Sequence, residues 1–140
     1  MTHSLSLAAL AIVCTVAAPM ALAADLTVTV DGIAAHKGAI VLGLFDADTY
    51  EGDGAVEAAK LVIDGPTVSV TFEGLAPGEY AVRLYQDLNN DGTFNTSRFG
   101  IPTEPYAFSN NAKGTFGPAK WTAAKFTLQD APTTHTITLN

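Results

Sequence analysis

Apolar and polar residues alternate with period two in several short stretches of the chain. Leu26-Thr27-Val28-Thr29-Val30 has the pattern of a half-buried strand. Residues 39–45, Ala-Ile-Val-Leu-Gly-Leu-Phe, form an unbroken β-branched and aromatic run, as expected of a central strand. Leu61-Val62-Ile63 and residues 67–72 flank Asp64-Gly65-Pro66, a turn. Pro77-Gly78 then feeds a strand in which Tyr80, Val82 and Leu84 alternate with Ala81, Arg83 and Tyr85. Residues 125–128 and 134–139 supply two more strands. No stretch from residue 24 onward sustains a long 3.6-residue period with caps, although Gly54 to Lys60 could hold a helical turn. About seven short strands punctuated by turns predict an all-β fold. The expected architecture is a single antiparallel β-sandwich of Greek-key type, immunoglobulin-like or transthyretin-like, over residues 24–140.

The first residues read differently. Leu5 to Ala18 is almost wholly apolar, passes into Pro19 and ends at Ala21-Leu22-Ala23, a small-x-small triplet suited to signal peptidase. Residues 1–23 are therefore expected to be a signal peptide, cut after Ala23 or Ala24. Too few apolar residues precede Pro19 for a membrane span. The expectation is export, to the periplasm, the cell envelope or the medium. The single cysteine, Cys14, falls within that leader. The exported domain has no thiol, and so no disulfide, zinc-thiolate site or cysteine nucleophile.

Composition narrows the partners. Hydrophobic residues make up 48%, which suits a folded core. Seven Lys and Arg against fourteen Asp and Glu give a net charge of -7. That balance argues against nucleic acid, which needs a basic patch, and equally against attraction to anionic lipid headgroups.

The segment from Asp87 to Trp121 has no clear strand, and a loop of that length needs something to order it. Its start, Asp87-Leu88-Asn89-Asn90-Asp91-Gly92-Thr93-Phe94-Asn95, has oxygen-bearing side chains at alternate positions and Gly at the sixth place. This matches the first three-quarters of a calcium loop, because a hard dication wants six to eight oxygens around a sharp reversal. Asp87, Asn89 and Asp91 would bind through side chains, Thr93 through its carbonyl, and Asn95 directly or through water. Arg98 stands where a bidentate Glu closes a strong loop, so Glu104 is the candidate to complete the shell and affinity should be weak. The alternative is a tight turn held by local Asx hydrogen bonds. Beyond it, Phe99, Tyr106, Phe108 and Trp121 are the candidate ligand or partner surface. Such rings either face a glycan, a peptide or an envelope protein, or tuck beneath the loop as a satellite core.

Residues 80–92 and 99–111 together resemble the bacterial domain-of-unknown-function 2141 family. The similar elements are a G-x-Y-A-V strand (Gly78 to Val82), a D-x-N-x-[ND]-G turn (Asp87 to Gly92), and a G-I-P-x-E-x-Y-x-F-S-N segment (Gly100 to Asn110). The resemblance runs from Leu26 to Leu139 and implies export and a β-sandwich, without a reaction. Ala107 stands where Gly is common and Asn95 where Asp is common, the latter weakening a metal site further. Residues 75–80 also resemble carboxypeptidase-regulatory-like and transthyretin-like sandwiches, and the aspartate turn resembles calcium-binding repeats of bacterial adhesins.

Catalytic sets are scarce. His36 lies in an expected turn, and His135 reads as a solvated residue on the last strand. No H-E-x-x-H, G-x-S-x-G or S-x-x-K pattern occurs. Asp46, Asp48, Glu51 and Asp53 cluster in one loop, either solvated or, with Glu104, the carboxylates of a weak hydrolase. The expectation is a non-enzymatic binding module.

Overall fold

Each sequence-predicted strand has a counterpart in the computed structural model, which describes residues 22–139. The strands are β1 (Ala24–Asp31), β2 (Ala39–Phe45), β3 (Glu57–Val62), β4 (Val68–Leu75), β5 (Gly78–Asp87), β6 (Tyr106–Phe108), β7 (Phe126–Leu128) and β8 (Thr133–Thr138). The expected leader, with Cys14, lies outside the described residues except for Leu22 and Ala23. No helix among the described residues is long and apolar enough to cross a membrane.

The strands form two packed sheets. One has the order β4-β1-β8, and the other runs β3-β2-β5-β6 with β7 also on β5. All pairings are antiparallel except β1 with β8, which run parallel in register from Leu26↔Thr133 to Asp31↔Thr138. The expected all-β sandwich is therefore present, with one parallel pair where the last strand joins the first. Period-two alternation aims Leu26, Val28, Val30, Ile40, Leu42, Leu44, Val82, Leu84 and Ile137 into the inter-sheet core.

β3 begins earlier than the sequence suggests. Residues 57–60, where a helical turn was conceivable, form strand against β2 from Leu44↔Glu57 to Ala39↔Val62. Ladder hydrogen bonds to β2 decide the conformation, over the helical preference of two alanines.

The segment 87–121 contains the short strand β6, missed because three residues carry no usable periodicity. β6 and β7 occupy the same edge of β5, at residues 83–85 and 78–80 respectively. In the gap between them the Val82 N–H donates to Ser109 Oγ at 2.8 Å. That hydroxyl in turn lies 2.6 Å from the Ala124 carbonyl oxygen, to which it donates. One serine thereby satisfies the backbone where neither short strand reaches.

His135 is not the solvated residue expected of its edge strand. Its ring stacks on Phe126 at 4.1 Å between centroids. Its Nε2 accepts the Asn110 N–H at 3.2 Å. Burial pushes the imidazole below its ordinary value, so the neutral ring is the folded form and protonation favours the unfolded chain. Stability contributed here is intact above the ordinary imidazole value of 6.5 and declines as the pH falls below it. Melting temperature should accordingly drop between neutral and mildly acidic pH. His135→Gln, which keeps an acceptor for Asn110, should flatten that profile.

Candidate functional site

The outer face of the second sheet carries the site. Odd-numbered residues of β5 point there, so Ala81, Arg83, Tyr85 and Asp87 form a row opposite Phe45, Gly43, Val41 and Ala39 of β2. Tyr106 and Phe108 of β6 extend it across the edge.

At one end of the row Asp87 is fully buried. Its Oδ1 accepts the Asp91 N–H at 3.1 Å, and its Oδ2 accepts the Gly92 N–H at 3.0 Å and Lys60 Nζ at 3.1 Å. Burial pushes this carboxyl up. The Lys60 and backbone hydrogen bonds more than offset that, and it stays ionised below the usual carboxylate range. The Gly38 backbone packs so closely on the Asp87 carbonyl that any side chain there would collide with it. Gly38 also has φ +75; both features require glycine.

Glu104, also buried, closes the loop from the other side. Its Oε1 accepts the Leu88 N–H and its Oε2 the Asn95 N–H, both at 2.9 Å. The same carboxylate thus holds both ends of the 88–95 turn. Inside it, Asp91 Oδ1 accepts the Thr93 N–H at 2.8 Å, and Asp91 Oδ2 accepts Asn89 Nδ2 at 2.9 Å and Asn95 Nδ2 at 3.2 Å. Those bonds, the Thr93 N–H foremost, hold Asp91 below the usual carboxylate range. Gly92 takes the reversal at φ +77.

Asp87, Asn89, Asp91, Thr93, Asn95 and Glu104 are therefore all brought together in a web of hydrogen bonds, the arrangement of the alternative reading, with Thr93 taking part through its N–H. Among the described residues no group of three or more His, Cys, Asp and Glu is placed to hold a metal ion.

Past the latch the chain returns as a small hairpin, with Thr96 bridged to Pro102 and the Ser97 N–H donating to the Ile101 carbonyl at 2.7 Å. Its tip carries Phe99, 73% exposed, and Ile101, 63% exposed. A second loop, 112–118, presents Phe116 entirely to solvent at 107%. Between the two lies a groove of about 520 Å³, floored by Phe94, Tyr106 and Phe108. These floor rings contact one another in sequence, Phe94 with Tyr106 at 5.8 Å and Tyr106 with Phe108 at 5.9 Å.

Of the four expected surface aromatics, Phe99, Tyr106 and Phe108 line this groove and Trp121 does not. Trp121 packs on Tyr50 at 5.4 Å in an apolar cluster with Phe45, Ala81, Ala119, Ala124 and the buried Phe108, whose ring belongs to both the cluster and the groove floor. The helical turn Trp121–Ala124 turns that ring inward. Tyr50 Oη donates to the Ala119 carbonyl at 2.7 Å. The Arg83 guanidinium covers Phe45 at 4.2 Å. Phe99 and Tyr106 are thus exposed, while Phe108 and Trp121 tuck into the satellite core. Phe94, Ile101 and Phe116 were not among the four rings singled out for the surface, because only the juxtaposition of the 94–102 segment with the 112–118 loop brings them to one groove.

The acidic loop does not join this site. Asp46 Oδ1 accepts the Asp48 and Thr49 N–H groups and the Thr49 hydroxyl, so its carboxylate organises its own turn. The Thr49 hydroxyl foremost holds it below the usual range. Phe45 pairs with Ala81 and Ala39 with Asp87, so Asp46 and Glu104 sit at opposite ends of β5, about 20 Å apart at the ~3.3 Å rise of a strand. Two carboxylates at that separation cannot flank one glycosidic bond.

The family model described as Uncharacterized protein conserved in bacteria (DUF2141) matches residues 28–136. The chain belongs to this family. No curated protein and no solved structure matches it. The DUF2141 match takes in the whole latch and the whole groove.

Replacing Glu104 by Gln leaves one acceptor for two buried N–H groups and sets an amide N–H₂ against the other. The expected loss is about 1–3 kcal/mol, read as a fall of several degrees in Tm. Faster amide exchange at Leu88 and Asn95 would locate it. Unchanged exchange at both would remove Glu104 from the latch.

Proposed function

We propose that this member of DUF2141 is an exported, non-enzymatic binding module whose working surface is the groove between the 96–102 and 112–118 loops. The supporting observation is that five apolar side chains, Phe94, Phe99, Ile101, Tyr106 and Phe116, remain exposed around one concavity. Exposed apolar patches in a folded domain mark contact sites. The latch fixes the geometry beforehand, so little ordering entropy is lost on binding. The partner we infer is apolar. Thr96 and Tyr106 are the polar side chains in the lining, too few for the dense hydrogen bonding by which a sugar is recognised.

Calcium has an accessory place in this reading. Side-chain oxygens converge on the 87–95 turn, but filling it requires Lys60 to leave Asp87 and both asparagine amides to turn their oxygens inward. The affinity expected is on the order of 10⁻⁴–10⁻³ M. Calorimetric titration with calcium should give weak heat and a small rise in Tm. No heat at millimolar calcium would leave the hydrogen-bonded latch as the whole explanation.

The groove itself is tested with N-phenyl-1-naphthylamine, an uncharged apolar fluorescent probe. The native protein should bind it saturably, and Phe99→Ser with Phe116→Ser should remove that binding. Both rings are exposed, so Tm should hardly move. Probe binding that survives the double substitution would overturn the assignment.

A further inference from the structure

The net charge of -7 conceals a strong segregation. Residues 93–124 contain three basic side chains, Arg98, Lys113 and Lys120, and one carboxylate, Glu104. That carboxylate is buried and taken up by two backbone N–H groups. The rest of the chain holds four basic residues and thirteen carboxylates. The lobe that carries the exposed rings is therefore the positive part of an acidic protein.

The placement of these charges is specific. The Arg98 guanidinium lies 4.7 Å over the Phe99 ring at the hairpin tip. Lys113 adjoins the second tip, lining a small hollow with Tyr106 and Phe108. Lys120 follows Pro118, which lines the groove. All three are exposed, and no ion pair engages any of them among the described residues. Asp91, the carboxylate that precedes this lobe, has its oxygens occupied by Thr93, Asn89 and Asn95.

Resting on the binding-face reading above, we infer that the two loop tips dock on an anionic lipid surface. Phe99, Ile101 and Phe116 enter the headgroup layer, and Arg98, Lys113 and Lys120 meet lipid phosphates. Apolar rings beside basic side chains suit that interface, where the ring is buried and the cation stays at the charged boundary. A lipid surface also accounts for Phe116 better than a peptide does. A peptide lying in the groove would cover only the face of Phe116 that lines it, whereas a deformable interface surrounds both exposed tips at once. The sparse polar lining of the groove offers little to hold a peptide backbone, and an acyl chain asks for none. The carboxylates outside the lobe would orient the molecule, repelled from the surface the tips approach.

Co-sedimentation with vesicles tests this. The purified protein should bind vesicles of phosphatidylglycerol in phosphatidylcholine, and bind phosphatidylcholine alone much less. Raised salt should weaken the interaction. Arg98→Gln and Lys113→Gln should each weaken binding by about fivefold, the factor that corresponds to one basic residue near a charged surface. Phe99→Ser with Phe116→Ser should abolish it, at unchanged Tm. Absence of vesicle binding while the apolar probe still occupies the groove would overturn the lipid inference and leave the binding face standing. Loss of both would remove the face itself. Capture of an acidic apolar peptide without vesicle binding would assign the lobe to a protein partner, and so overturn the inference as well.

Discussion

Two buried carboxylates, Asp87 at the end of β5 and Glu104 beside it, hold the loops after β5 in place. Asp87 is the last residue of a central strand and lies in a sheet position where a charge without partners could not remain. Its compensation comes from two N–H groups of the turn that follows and from Lys60 on β3, two strands away. Glu104 repeats the arrangement from the returning chain, accepting N–H groups at either end of the turn. Neither carboxylate is buried without its donors, and only the Asp91 N–H is shared, with Asn89 Oδ1 at 3.2 Å. The loop can therefore adopt this shape or lose several charge-assisted hydrogen bonds together.

That constraint has consequences along the chain. With Leu88 and Asn95 tied to one side chain, residues 96–102 close as a hairpin, and the strand after Pro105 is delivered against β5. The Gln86 N–H donates to the Pro105 carbonyl at 2.8 Å, continuing the ladder into β6. Tyr106 and Phe108 then face outward in register with Tyr85 and Arg83. The aromatic floor of the groove is in this sense a product of the carboxylate latch. The second loop is fixed by separate contacts, those of Ser109, Asn110 and Asn111 with α1 (Trp121–Ala124) and β8.

The sandwich was legible because its signal is repeated in nearly every strand. Alternation places Leu26, Val28 and Val30 on one face whatever the neighbouring strands do. The oxygen spacing of residues 87–95 was legible for a related reason: alternate residues of a tight reversal point inward whether they meet a cation or backbone N–H groups. For the same reason the spacing leaves the choice between the two open. The strand at 106–108 was not legible, since three residues show no period and their conformation is set by the partner edge. Trp121 could not be told apart from Phe99 in the sequence. Both lie close to glycine and proline, Gly100 and Pro102 after Phe99 and Gly117 and Pro118 before Trp121, and only the docking of a four-residue helix sends one ring inward. His135 was misjudged because edge-strand position suggests solvent, while Phe126 from the other sheet covers it.

Net charge is the least informative number about this protein's surface. A total of -7 argues against contact with anything anionic only if the charges are mixed. At physiological ionic strength surface charges beyond about 8 Å are screened, so an approaching surface senses the nearest loop rather than the sum. Here the nearest loops are the apolar ones, and the carboxylate within them is turned inward to hold the backbone. Burying Glu104 serves the fold as an anchor and, by the same act, withdraws the one carboxylate of residues 93–124 from the exposed surface that presents Arg98, Lys113 and Lys120. Structure and electrostatics are coupled through that single residue: opening the latch would put a carboxylate back among the basic side chains as it released the rings they accompany.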